Sequence, residues 1–315
     1  MNRNQIDYTI VVPVYYNEAS LEQLVDDIGK HVVNARPELR GEIVFVDDGS
    51  GDDSFSVLQR IQRSNSDLVH VIKLSRNFGQ VNAIWCGLEH ANGRAVIVIS
   101  ADGQDPVELI PEMLDAHFND GREIVAAIRA GRDESAWRKI SSGISYWAIK
   151  KFSFPNMPIG GFDFFLLGRK ALDVLLNYYQ RHSFLQGQIL RLGFDPYFLE
   201  YHRRAREHGK SRWTFHRKLT ALLDGIIGYS FWPIRAISVV GFVVALLGLI
   251  YALLILLSWF IWRNPVEGWT PLMMVVLIMG GVQMAMLGVI GEYLWRTKAQ
   301  VMAEPPYIIE TVLQD

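Results

Sequence analysis

One cysteine in 315 residues, Cys86, excludes an intramolecular disulfide framework and any zinc cluster built on thiolates. The eight histidines show no His-Glu-x-x-His spacing, so a histidine metal centre has no sequence support either. A formal net charge of -2 supplies no basic field for polyphosphate, and no nucleic-acid partner is expected. Charge is absent more sharply in two places: neither Ala236 to Trp262 nor Pro271 to Gly291 contains an Asp, Glu, Lys or Arg. Each run exceeds the roughly 20 residues that cross a bilayer core of about 30 Å. Helices of that length buried in a water-soluble core would show polar residues at helical spacing. Two C-terminal transmembrane helices are therefore expected, spanning about 236–262 and 271–293.

The ends of these runs carry a sign. Arg212, Arg217, Lys218 and Arg235 precede the first, and Arg296 and Lys298 follow the second, whereas the loop Arg263 to Thr270 holds one Arg and one Glu. By the positive-inside rule both ends face the cytoplasm. Met1 to Gln5 has no apolar signal core, which predicts that the front of the chain stays there too. The small residues Gly241 and Ala245, and Gly281 and Ala285, stand four apart and would let helices approach closely, within one chain or in a homo-oligomer.

Ahead of the membrane runs the pattern is α/β. Strands are predicted at Tyr8–Val14, Glu42–Val46, Leu68–Leu74, Arg94–Ile99 and Glu123–Ile128. Helices are predicted between them, at Ser20–Val33, around Leu58 and Ile61, around Cys86 and over Val107–Phe118. Ser20 with Gln23 reads as a capping box, and Cys86 lies in the stripe Val81, Ile84, Trp85 and Leu88 as core filler. After Arg129 the alternation stops. A helix over 135–154 mixes Trp137, Ile144 and Trp147 with Arg138, Lys139 and Lys150, as an interfacial helix does, and 213–232 has similar features. Gly160 to Phe165 and Arg203 to Trp213 read as loops.

Nearly every predicted strand ends in a polar cluster, and Ser100-Ala101-Asp102-Gly103-Gln104-Asp105-Pro106 is the most telling. It sets acidic and amide oxygens at the carboxyl end of a buried strand, where open parallel sheets bind ligands. Hard oxygens suit Mg²⁺ or Mn²⁺, with a substrate's phosphates completing the shell. Asp105 is also explained as a helix cap, with Pro106 at the first helical position and Glu108 closing a capping box. Asp102 and Gln104 have no such duty.

Pro13-Val14-Tyr15-Tyr16-Asn17-Glu18, then Val46-Asp47-Asp48-Gly49-Ser50, then Asp102-Gly103-Gln104, in that order on strand ends, resemble glycosyltransferase family 2. With Arg76-Asn77-Phe78-Gly79 and two membrane runs, the likeness narrows to the polyprenyl-phosphate glycosyltransferases. These include the dolichol-phosphate mannose synthases and the bactoprenol glucosyltransferases. The resemblance implies a GT-A nucleotide-sugar-binding, Rossmann-like domain with interfacial helices. It implies donor contacts at Pro13, Tyr15, Glu18, Asp47, Asp48 and Asp102, and divalent-ion ligands at Asp102 and Gln104. Ser100 stands where many members have the first Asp of Asp-x-Asp, which removes one carboxylate. The implied acceptor-phosphate clamp comprises Arg129, Arg138, Ser142, Arg206, Lys210, Ser211 and Arg212. An ionised phosphate needs positioning and charge neutralisation more than a general base, which is why basic residues suit that role. Asp163, flanked by aromatics, is the carboxylate candidate near the reacting centre; its alternatives are a buried carboxyl with a raised pKa and a structural hydrogen-bond acceptor. Asp102, Asp163 and Arg129 are thus the catalytic candidates.

Neither the Glu-Asp base nor the Gln-x-x-Arg-Trp motif of processive polysaccharide synthases is present; Ser183 to Leu190 reads Ser-Phe-Leu-Gln-Gly-Gln-Ile-Leu. The expectation is an inverting transfer of a hexose, glucose from UDP-glucose, to polyprenyl (undecaprenyl) phosphate at the cytoplasmic membrane face. The alternatives are another sugar (mannose, aminoarabinose or GlcNAc), another lipid acceptor such as diacylglycerol, or a non-catalytic nucleotide-sugar sensor or scaffold. The expected domains are a cytoplasmic catalytic region at 1–212, a juxtamembrane helix at 213–232, a two-helix membrane domain at 233–295 and a cytoplasmic tail at 296–315.

Overall fold

Runs such as Tyr-Thr-Ile-Val-Val-Pro-Val leave neither face of a strand for water, so both faces must be covered by other elements. The computed structural model describes residues 6–129, 157–158, 161–178, 185–202, 269–302 and 305–314, with parts of 237–257. It divides into two compact units, Met1–Leu222 with Glu304–Asp315, and Leu223–Ala303.

The first unit is built on an eight-stranded mixed sheet of order β7-β5-β6-β4-β1-β2-β3-β8. Its first five strands are β1 (Tyr8–Val14), β2 (Gly41–Asp47), β3 (Val69–Leu74), β4 (Ala95–Val98) and β5 (Ile124–Arg129). Between them run α1 (Leu21–Ile28), α2 (Ser54–Ser64), α3 (Gln80–Glu89) and α4 (Ile110–Phe118). A π-helical turn, Gly29–Val33, extends α1, and a 3₁₀ turn, Val107–Leu109, leads into α4. Alternate residues of the strands face opposite layers. Ile10, Val12, Ile43, Phe45 and Ile97 pack with Leu24, Leu58 and Met113 of α1, α2 and α4. Val44, Val46, Ile72 and Leu74 pack with Ala83 and Cys86 of α3 on the other face. Gly87 allows that approach, since a β-carbon there would lie 2.2 Å from Val11 Cγ1. Cys86 is fully buried, as its stripe predicts, and burial pushes its thiol up to about 12.

Three findings depart from the sequence reading. The segment read as a loop at 160–165 leads into β6 (Phe164–Gly168), which runs antiparallel between β4 and β5 and is buried throughout. The tail expected at 296–315 contains β8 (Ile309–Leu313), antiparallel to β3 at the sheet edge. The capping box expected at Ser20 does not form: its hydroxyl lies 2.6 Å from Ala101 O and 3.1 Å from Asn17 O instead, and Asp105 is buried. Further along lie α5 (Arg169–Leu176), α6 (Leu185–Arg191) and β7 (Tyr197–Tyr201), the last parallel to β5.

In the second unit, α7 (Trp269–Val301) is the one helix among the described residues long and apolar enough to cross a membrane, through Ile278–Trp295. The first expected span is described in part, as a shorter apolar helical stretch, Val239–Gly248. A β-carbon on Gly241 would lie 2.8 Å from Met286 Cε of α7, so this small residue does admit a close neighbour. The expected interfacial segments 135–154 and 213–232 lie outside the described residues.

Candidate active site

Since β1, β2, β3, β4, β5 and β7 run in one direction and β6 and β8 in the other, one sheet edge collects the carboxyl ends of the former and the amino ends of the latter. That edge carries all the predicted site residues that the structure describes.

On the β1–β3 side the loops are tied to one another. Asp47, the last residue of β2, is wholly buried; its Oδ1 accepts the Ser50 N–H at 3.3 Å, and its Oδ2 has no hydrogen-bond partner among the described residues. Burial raises its pKa, against the opposing pull of Ser50 and Lys73. Asp48 is also buried, but its carboxylate is fully engaged. Oδ1 accepts the Phe78 N–H at 2.7 Å, and Oδ2 accepts the Gly79 N–H and Asn77 Nδ2, each at 2.9 Å. Burial still lifts its pKa to about 6. Gly49 permits this clasp: its φ is 65°, and a β-carbon would lie 2.5 Å from the Arg76 carbonyl carbon. The Asp48 side chain anchors loop 76–79, whose N–H groups take up its oxygens.

The loop after β1 joins the same lattice. Tyr16 N–H donates to Ser50 Oγ at 3.1 Å, Asn17 N–H to Ser54 Oγ at 2.9 Å, and Glu18 Oε2 accepts the Asp53 N–H at 2.9 Å. Tyr15 and Tyr16 are exposed with rings edge to face, 4.7 Å apart. Tyr16 is also the one non-glycine residue with positive φ, 58°, among the described residues. A left-handed aromatic residue costs on the order of 1 kcal/mol, and such strain collects at functional sites. Its motif was visible in the sequence; its backbone conformation was not. Pro13 is a buried strand residue beyond the last β1–β4 pair, Val11 with Val98, so its missing N–H breaks no bond to β4.

On the β4–β7 side the chemistry comes from distant segments. Ser100 Oγ lies 2.7 Å from Asp102 Oδ1 and 2.8 Å from Asp105 Oδ2. The Gln104 N–H donates to Asp102 Oδ1 at 3.2 Å. Asp105, 3% exposed, accepts the Tyr201 hydroxyl on Oδ1 at 2.6 Å. Arg129, in register with Tyr201, bonds it and pairs with Asp163 Oδ2 at 3.4 Å. Burial opposes the Arg129 charge, but Tyr201 and Asp163 outweigh it and raise the pKa. Asp163 also accepts Gln186 Nε2 at 2.9 Å. Its side chain is 54% exposed, so the burial expected from its aromatic neighbours does not occur: Phe162 and Phe164 turn into the core while Asp163 faces out. Tyr201 and Gln186 were missed because neither lies in a motif; parallel pairing of β7 with β5 is what brings Tyr201 in. Arg138, Ser142, Arg206, Lys210, Ser211 and Arg212 lie outside the described residues.

Could this edge hold a divalent ion? Among the described residues no three His, Cys, Asp or Glu side chains form a metal-holding group. Asp102 is half-buried on a turn beside Gln104, and the pair has a carboxylate and an amide oxygen to give. Such a partial set fits a hard cation whose shell a diphosphate completes.

Glycosyl transferase family 2 matches residues 9–176, which contain both halves of this edge up to β6 and α5. The chain belongs to glycosyltransferase family 2. An undecaprenyl-phosphate 4-deoxy-4-formamido-L-arabinose transferase of Pseudomonas savastanoi is 35% identical over 97% of this chain and 90% of its own length. A prophage bactoprenol glucosyl transferase homolog of Escherichia coli is 32% identical over 96% and 98%. Among solved structures, glucosyl-3-phosphoglycerate synthase of Mycobacterium tuberculosis, with Mn²⁺, UDP-glucose and phosphoglyceric acid, matches with a TM-score of 0.48 at 17% identity. That match covers 70% of this chain and 80% of the synthase. The protein is a glycosyltransferase, and the mixed α/β sheet agrees with the GT-A fold expected of this family. The sensor or scaffold alternative falls with that membership.

Proposed function

We propose that this glycosyltransferase moves glucose from UDP-glucose to polyprenyl phosphate at the cytoplasmic face of the membrane, with inversion at the anomeric carbon. The observation that carries the donor half is the buried, unpartnered Oδ2 of Asp47 at the floor of the strand-end edge. A buried carboxylate oxygen without a donor costs stability, and a uracil N–H or ribose hydroxyl supplies what is missing. Tyr15 offers an exposed ring for the base, and Glu18 and Pro13 complete the donor set by resemblance.

An acceptor phosphate oxygen forms the new bond to the anomeric carbon as the bond to the UDP oxygen breaks, and UDP leaves as the anion. Arg129 holds the acceptor phosphate, with Arg138, Ser142, Arg206, Lys210, Ser211 and Arg212 completing the clamp; Asp163 and Gln186 orient Arg129. Asp102 and Gln104 would hold Mg²⁺ or Mn²⁺, which would supply charge neutralisation for the departing diphosphate. The names of the two full-length relatives, one acting on bactoprenol and one on undecaprenyl phosphate, support the acceptor.

The membrane arrangement is two spans with both ends cytoplasmic. β8 belongs to the same sheet as β1, which supports a reading in which the chain returns to the side it left. An even number of crossings supports pairing α7 with the apolar run at 236–262.

Mass spectrometry of lipid products formed from membranes, a panel of nucleotide sugars and added polyprenyl phosphate tests the reading. The expected product is a hexosyl phosphoryl polyprenol from UDP-glucose. A sugar on diacylglycerol without added polyprenyl phosphate, or product from a different donor, replaces the acceptor or the sugar.

A further inference from the structure

Asp102 stands on an exposed turn: Gly103 follows with a φ of 69°, and the Gln104 N–H donates to Asp102 Oδ1 at 3.2 Å. Asp105, three residues on, is the opposite, 3% exposed and tied by the Tyr201 hydroxyl to the end of β7. Between them sits Ser100, whose hydroxyl is within hydrogen-bond distance of both carboxylates, 2.7 Å from Asp102 Oδ1 and 2.8 Å from Asp105 Oδ2. A hydroxyl has one proton, so it donates to one carboxylate at a time.

We propose that Tyr201 and Asp105 are positioning residues that act through the Ser100 hydroxyl to hold the Asp102 carboxylate and release it to a divalent cation. This rests on the assignment of Asp102 to the cation. With no cation, Ser100 donates to Asp102 Oδ1 and fixes the turn. When that oxygen turns to a cation, the Ser100 hydroxyl swings its hydrogen bond to Asp105 Oδ2, whose other oxygen is already held by Tyr201, and the half-buried hydroxyl keeps an acceptor within the site. Without this second acceptor the Ser100 hydrogen bond stays on Asp102 and competes with the cation for the same oxygen. Serine at the place of a carboxylate thus retains a function: it couples a turn to a rigid strand end. Because Tyr201 also bonds Arg129, one side chain braces the cation turn and the basic residue across the edge.

The test is Mn²⁺ binding to the full-length, detergent-solubilised protein with UDP present, read by electron paramagnetic resonance and titration calorimetry. Removing a partner that orients a metal ligand weakens affinity about tenfold or more. Tyr201→Phe, which keeps every carboxylate, is expected to weaken Mn²⁺ binding by about that factor. In a Ser100→Ala background the same substitution is expected to add almost nothing, because the path it acts through is already cut. Loss in Tyr201→Phe that persists undiminished in Ser100→Ala, or no loss in Tyr201→Phe, overturns the relay. Asp105→Asn provides the same comparison should Tyr201→Phe fail to fold. The underlying assignment fails separately: if Asp102→Asn binds Mn²⁺ as the unaltered protein does, Asp102 is not the ligand and the relay falls with it. If Asp102→Asn loses Mn²⁺ while Tyr201→Phe retains it, only the relay is overturned.

Discussion

The two halves of the strand-end edge are assembled differently. The β1–β3 half is made of three consecutive loops bonded to one another by backbone N–H groups and short polar side chains, with Asp48 as the clasp. The β4–β7 half gathers Ser100, Arg129, Asp163, Gln186 and Tyr201 from segments up to 101 residues apart, counting from Ser100 to Tyr201, and joins them mainly by side chains. A backbone-bonded half is preformed and suits recognition of one invariant nucleotide. A side-chain-bonded half can re-pair, which on the reading proposed above lets it take the acceptor phosphate. Asp47 is the test of the first property and Arg129 of the second.

The largest effect is expected from Asp47→Asn. The substitution removes the buried charge whose free oxygen awaits a donor, while nearly preserving shape. Hydrogen bonds to charged groups contribute about 1.5–3 kcal/mol, which corresponds to a UDP affinity weakened roughly 10- to 100-fold. Calorimetry with UDP measures it, and kcat at saturating donor is expected to fall much less. An unchanged Kd would mean that the β1–β3 half does not recognise the nucleotide.

Arg129→Lys probes the other half. A lysine keeps the charge but loses the planar fork that bonds Tyr201 and Asp163 at once. The KM for polyprenyl phosphate is expected to rise about tenfold with the donor KM nearly constant. Equal rises in both would erase the distinction between the halves.

A smaller effect follows from Asp48, whose pKa is lifted to about 6, chiefly by burial. Its folded-state value lies above the unfolded value of about 3.9, so the folded protein binds more protons between those limits. This group's contribution to stability is therefore greatest below pH 4 and is lost as pH rises through 6. Donor binding should run the other way, since protonation removes an acceptor from loop 76–79. UDP affinity is expected to fall severalfold from pH 7.5 to 5.5, and Asp48→Asn to flatten that profile. A profile unchanged by the substitution assigns the titration elsewhere.

How much of this was legible in the sequence follows the same division. Strands β1–β5 and their loops could be read because each is a contiguous apolar run ended by a polar cluster. Asp47, Asp48 and Asp102 fell where the motifs put them. Asp47 and Asp48 could not be told apart in one dimension, while the folded loop shows that Asp48 is the one enclosed by N–H groups. β6 was missed because Phe164 to Leu167 is a short apolar run that continues a glycine- and aromatic-rich stretch, and nothing local announces its insertion between β4 and β5. Tyr201 had no signal at all, since its role exists only through the register of β7 with β5. β8 left only a weak trace: Ile-Glu-Thr-Val-Leu is rich in β-branched residues but does not alternate apolar with polar, and the alternation appears only in its burial on the sheet.

That strand gives the smallest prediction and the finest probe of the β1–β3 half. Tyr307 donates its hydroxyl to Glu89 of α3 and packs with Val44, Ile72 and Cys86, and Ile308 O accepts the N–H of Ser75, the residue before the Asp48-bound loop. If the C-terminal strand is part of the donor half, Tyr307→Phe should lose one hydrogen bond to a charged group and little packing. At a half-exposed position the cost is about 1 kcal/mol, or a few degrees in Tm for a domain of this size. Because the ring stays in the apolar cluster and Ser75 keeps its backbone bond, UDP affinity should change less than twofold. A Tm loss with intact UDP binding places β8 as a brace for a preformed site. A loss of UDP binding comparable to that of Asp47→Asn would instead make the strand a working part of the donor site, and the β1–β3 half would then depend on the returned C-terminus as much as on its own loops.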